Sequence, residues 1–156
     1  MKKINTIMVA CDFSEYSKQA LNYAAELAEN LKADLVITHV INQRDVDAVQ
    51  QATVFSPSGS LDEFIQRQTE NRSRRIDKLI EKTAAAHLTV KKIIKIGVPF
   101  YELIQAAGDE DVDLVAMGPK GRGNLDGILF GTTAEKMSRH CPVPLLSIRG
   151  DQHMRE

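Results

Sequence analysis

Residues 112–148 read VDLVAMGPKGRGNLDGILFGTTAEKMSRHCPVPLLSI. The stretch opens on Val112–Met117, an apolar run suited to a buried strand. It continues through a glycine-rich segment, 118–131, into a helical stretch from about Thr133 to His140. Cys141-Pro142 stops that helix, because proline cannot extend it. Val143–Ile148 is apolar again. Strand, helix and strand in this order form a βαβ unit with parallel strands and a right-handed crossover.

The same alternation fills the rest of the 156 residues. Ile4–Cys11 reads as a first strand. Residues 14–31 place Tyr16, Ala20, Tyr23, Ala24, Leu27, Ala28 and Leu31 at helical spacing. Asp34–Val40 reads as a second strand, and 41–60, with Ser56-Pro57-Ser58-Gly59, as a loop. Ser60 and Glu63 form a capping box that opens a helix reaching to about His87. Thr89–Ile96 reads as a third strand. Pro99 opens a helix that Gly108 ends. Five strands and four helices predict an α/β fold: a five-stranded parallel sheet, order 3-2-1-4-5, open and doubly wound with helices on both faces. Residues 1–149 read as one domain and 150–156 as a polar tail. In such a sheet the ligand site lies where the winding reverses. That places it just after Cys11 and just after Met117.

Composition narrows the classes. Net charge is −1, with 20 Lys+Arg against 21 Asp+Glu, which argues against a dedicated nucleic-acid binder. Two cysteines, Cys11 and Cys141, are too few for a disulfide framework or a zinc site. They read as buried inert thiols in a reducing, cytoplasmic setting. No run of 18 apolar residues occurs, so no membrane span is expected.

Chemistry concentrates at the expected switch point. Five of the nine glycines fall there: Gly118, Gly121, Gly123, Gly127 and Gly131. Glycines permit positive φ and close backbone approach, and successive N–H groups can form an anion nest. Lys120 and Arg122 add positive charge. Thr132 can cap the next helix with Glu135 closing a capping box, and that helix start favours a phosphate. The bland alternative is a solvated surface loop. No Walker A string occurs, and no GxGxxG follows the first strand, where the chain reads Cys11-Asp12-Phe13-Ser14.

The spacing Gly118-x-x-Gly121, nine residues, then Gly131-Thr132 resembles the G-2x-G-9x-G-[S/T] motif of ATP-binding universal stress proteins. Val9–Ser14, Ala33–Val40, Gly97-Val98-Pro99 and Asp113–Gly118 resemble that family's first two strands, its third turn and its fourth strand. The resemblance implies a homodimer holding one ATP per protomer, with Mg or Mn as candidate companion ion. It implies Asp12 on the ribose or adenine side, and Ala10 and Val40 around the adenine. It places Met117 and Gly118 beside the nucleoside, and Gly121, Arg122, Gly131, Thr132 and Thr133 on the phosphates. It also implies pairing of fifth strands, Val143–Ile148; an apolar edge strand needs cover, and Pro144 suits an edge.

Other residues have plainer readings. Asp12 could instead cap the first helix with Glu15. His39 reads as core or dimer packing, and His87 and His140 as helix C-terminal groups. Arg72-Ser73-Arg74-Arg75 reads as a solvated face. No acid–base pair stands out, and Ser14 has no identifiable His partner, so efficient catalysis is not expected. The resemblance implies a nucleotide-dependent sensor in stress response. A slow ATPase or phosphotransferase and a module for AMP or another small phosphorylated ligand are the alternatives.

Overall fold

The computed structural model describes residues 1–55, 60–121 and 131–150. Arg122, Gly123, Gly127, residues 56–59 and residues 151–156 lie outside them. The strands are β1 (Thr6–Ala10), β2 (Asp34–Asn42), β3 (Val90–Gly97), β4 (Leu114–Met117) and β5 (Leu145–Ser147). The helices are α1 (Glu15–Leu31), α2 (Gln43–Phe55), α3 (Leu61–Glu81), α4 (Pro99–Asp109) and α5 (Thr132–His140). All strand pairs are parallel, and the order is β3-β2-β1-β4-β5, as the alternation predicts.

Side chains alternate across the sheet, so each strand feeds two cores. Ile7, Val9 and Cys11 of the first strand region join Leu35 and Ile37 against Ala20, Leu21, Ala24 and Ala28 of α1 and Ile76 of α3. Met8 and Ala10 join Val36, Val115 and Met117 against Leu103, Ala106 and Ala107 of α4 and Ala134 and Met137 of α5. Both faces of β1 are therefore dry, which is why its sequence is apolar without alternation. Among the described residues, no helix is long and apolar enough to cross a membrane.

Three elements differ from expectation. Residues 43–55 form α2 rather than a loop. Val46 is buried and Gln43 Nε2 donates to Asp47 Oδ1 at 2.9 Å. Asn42 Oδ1 accepts from Arg44 N at the helix start. Among the described side chains of α2 only Val46 is buried, too weak a period to read, and β2 runs into α2 with no glycine or proline between them. The helix opened by Ser60 stops at Glu81 rather than His87. Thr83 then caps a separate 3₁₀ turn, Ala84–His87, and Ala84 N donates to Asn22 Oδ1 of α1 at 2.8 Å. β5 is shorter than Val143–Ile148: at its start Pro144 has no N–H to give and offers only its carbonyl, to Val115 N at 3.0 Å, while beyond its end Ile148 N still donates to Met117 O at 2.9 Å.

At the opposite end of the sheet, Asp113 accepts the N–H groups of Asn5 and Thr6 at 2.8 and 3.1 Å and pairs with Lys2 at 2.9 Å. These contacts hold its carboxyl below the usual range, with the Lys2 bond the largest cause.

Candidate functional site

A cleft of ≈ 510 Å³ opens at the carboxyl ends of β1, β2 and β4. Ala10, Asp12, Val40, Met117, Gly118, Gly121, Gly131, Thr132 and Thr133 all line it. The topology thus brings together residues from three separate parts of the chain. Arg122 lies outside the described residues.

One wall is the start of α5. Gly131 is the N-cap, not Thr132, and no side chain caps the helix. Glu135 does not close a capping box; it pairs with Arg139 at 2.9 Å. Gly131 N donates to Pro119 O at 2.8 Å, which clasps the two ends of the glycine-rich segment. The first residues of α5 line the cleft, their N–H groups have no intrahelical or capping acceptor among the described residues, and the helix dipole adds partial positive charge there. Lys120 stands beside them, its Nζ 5.4 Å from the centre of the Tyr16 ring.

Gly118 and Gly121 serve close approach, not positive φ. A Cβ on Gly118 would lie 2.6 Å from Tyr16 Cβ and 3.2 Å from its carbonyl carbon. Gly118 is thus needed for β4 to pack under α1, apart from any ligand. A Cβ on Gly121 would overlap Asp12 Oδ2.

Asp12 does not cap α1. Ser14 is the N-cap, its Oγ accepting from Ser17 N at 3.2 Å. Asp12 Oδ1 accepts from Ser14 N at 2.9 Å across a tight turn, and Oδ2 is left against Gly121. The turn puts Phe13 at φ 66°, a left-handed conformation that costs a bulky residue about 1–3 kcal/mol.

The far wall holds Asn42, Arg44 and Asp45, which no motif singles out, together with His39 and Arg72, which the sequence suggests as packing and solvated residues. His39 is buried, and the Cys11 carbonyl 2.8 Å away fixes its Nδ1 as the protonated nitrogen of the neutral ring. Nε2 is an enclosed acceptor with no hydrogen-bond partner among the described residues. Burial is the main cause holding its pKa below 6.5, and Arg72 and Arg75 push the same way. The arginine run is solvated only in part: Arg74 is exposed, while Arg72 lines the cleft and Arg75 lies over the Phe13 ring. The signal was available, since Arg72, Arg75, Ile76 and Leu79 share one helical stripe. The two thiols are free; Cys11 is buried and its pKa is raised, chiefly by burial, whereas Cys141, expected to be buried, is only half-buried just past the end of α5. His87 pairs with Glu29 at 3.2 Å, and His140 sits against Phe100.

The family model described as the universal stress protein family matches residues 3–149. The chain belongs to the universal stress protein family. Among curated relatives, universal stress protein MJ0577 of Methanocaldococcus jannaschii is 27% identical over 154 residues, covering 92% of this chain and 93% of the relative. The solved structure of MJ0577 superposes with a TM-score of 0.77 at 25% identity, over 96% of this chain and 99% of that one. Two further family structures share the fold. A universal stress protein in complex with cAMP gives a TM-score of 0.61 at 21% identity, over 96% of this chain and 100% of its own. The Archaeoglobus fulgidus protein in complex with dAMP gives 0.57 at 19%, over 95% of this chain and 100% of its own. For a universal stress protein chain, the cleft at the β1/β4 switch is the place to seek a ligand.

Proposed function

We propose that this universal stress protein binds ATP in the cleft and acts as a nucleotide-loaded sensor or regulator with slow or no hydrolysis. The observation that carries the reading is the uncapped start of α5, set beside Gly121 and Lys120 in a concave site. The N–H groups of Thr132 and Thr133 and their hydroxyls suit the phosphates. Ala10, Val40, Pro99 and Leu103 offer an apolar slot for a base, with Met117 and Gly118 beside the nucleoside. Asp12 Oδ2 suits a ribose hydroxyl or a base N–H. Mg or Mn would ride on the phosphates, and Asp12 is a carboxylate within reach of such an ion.

Self-association through β5 is part of the proposal. The two sheet edges differ in charge: β3 carries Lys91, Lys92 and Lys95, with Lys91 paired to Glu110 and Lys92 to Asp77. Lysines discourage edge pairing. The β5 edge, with Leu145 and Leu146 half-buried, carries none.

A second reading, a site for a nucleoside monophosphate, is favoured by the cAMP and dAMP bound in two family structures. Calorimetry with ATP, ADP and AMP separates the two. Tightening with each added phosphate supports the ATP reading; equal affinities would replace it with the second; no binding at millimolar nucleotide would sink both. A single-turnover assay with labelled ATP tests the hydrolysis clause.

A further inference from the structure

Neither Phe13 nor Arg75 lines the cleft, yet both are tied to the turn that carries Asp12. The Arg75 guanidinium of α3 sits 4.0 Å from the centre of the Phe13 ring. The ring of His39 meets Phe13 at 4.7 Å, tilted by 48°. His39 is itself pinned, Nδ1–H to the Cys11 carbonyl at 2.8 Å, while Cys11 N donates to Thr38 O at 2.9 Å. Arg75 and His39 therefore both touch the Phe13 ring, and His39 is fastened to the chain at Cys11. A phenyl side chain resists the left-handed backbone at φ 66°. The contacts of Arg75 and His39 with the ring oppose its return to an ordinary conformation. That conformation also bends the chain so that Ser14 N reaches Asp12 Oδ1 at 2.9 Å and Oδ2 faces Gly121.

We propose that Arg75 is a positioning residue for Asp12: its cation–π contact with Phe13 holds the Cys11–Ser14 turn and so aims the carboxylate into the cleft. The proposal makes α3, which follows the segment after α2, part of the ligand-reading machinery through a residue that touches no ligand. A guanidinium over a partly desolvated ring is an attraction strong enough to bias one local turn. It is too weak to determine the fold, which the buried stripe at Ile76 anchors separately. The ligand half of the inference rests on the reading that Asp12 contacts the nucleotide; the turn half does not.

The test uses Arg75→Met, which keeps length and removes charge, and Arg75→Lys, which keeps a cation over the ring. Hydrogen exchange of the Ser14 amide reports the turn without any ligand, with the Ile37 amide of β2 as the control for global stability. Arg75→Met should lower Ser14 protection by about three- to tenfold beyond any change at Ile37, and Arg75→Lys should restore most of it. Affinity for ATP should fall by a similar factor in Arg75→Met and by no further factor when Asp12→Ala is already present. Ser14 protection that falls only in step with Ile37 would overturn the proposal, as would equal effects of Met and Lys. A selective Ser14 loss in a protein whose wild type binds no nucleotide would uphold the turn mechanism and refute the nucleotide reading instead. Equal loss of affinity with and without Asp12 would overturn the positioning role.

Discussion

Gly121→Ala places one methyl group where the proposed ligand and its carboxylate meet. The φ of Gly121 lies outside the left-handed region, so alanine brings no backbone strain of the kind glycine relieves. The effect is contact alone. The new Cβ overlaps Asp12 Oδ2 and comes to 3.3 Å from Cγ. The carboxylate cannot simply swing aside, because Oδ1 holds Ser14 N at 2.9 Å. Hydrogen bonds to charged groups are worth about 1.5–3 kcal/mol. Asp12 is only half-buried, so the low end applies: ~1.5 kcal/mol, roughly tenfold in affinity. Calorimetry should therefore give an ATP dissociation constant raised about tenfold, with the melting temperature little changed. In an Asp12→Ala background the overlap disappears, and Gly121→Ala should cost nothing more. Equal losses in both backgrounds, or unchanged affinity in the single variant, would refute the reasoning.

Gly118→Ala should behave in the opposite way: its Cβ meets the backbone of α1 at Tyr16, which cannot yield like a side-chain tip. Overpacking of about 1–3 kcal/mol should lower the melting temperature by roughly 2–12 °C in calorimetry, with or without ligand. His39 gives a pH signature. Its folded pKa lies below 6.5, chiefly through burial, so its contribution is full above that value and is lost as pH falls through the folded pKa. Denaturant midpoints should therefore begin to fall below about pH 6.5, and His39→Gln should flatten that limb. Asp113, lowered from 3.8 chiefly by Lys2, should contribute only a later, more acidic loss that Asp113→Asn removes. At the sheet edge, the proposed β5 pairing predicts a wild-type dimer in light scattering and a monomer for Leu145→Asp; a monomeric wild type, or a dimer that persists in the variant, would exclude β5 as the interface.

Much of this was legible without coordinates. The apolar run Ile4–Cys11 predicts a strand covered on both faces, and β1 is one. Pro99 marks the first residue of α4. Ends were harder. Ser14 displaced Asp12 as cap of α1, and Gly131 displaced Thr132 as cap of α5, because several eligible residues stand side by side and only chain direction chooses among them. α2 is hidden in the sequence because Val46, the one buried residue among its described side chains, makes no period. Arg72 and Arg75 were read as solvated because charge outweighs position in a pattern. Yet an arginine can lay its stem along a core and keep its head at a cleft or over a ring.

Periodicity and spacing were sufficient for the order of strands, the doubly wound architecture and the loop where a ligand would be sought, since these follow from which residues must leave water. Tertiary structure alone decided that Gly118 serves the packing of α1 and Gly121 the Asp12 carboxylate. It alone joined Arg75, Phe13 and His39, residues from three separate elements. Contacts between distant segments depend on register and crossing geometry, and these are properties of the assembled sheet that no local stretch of chain encodes.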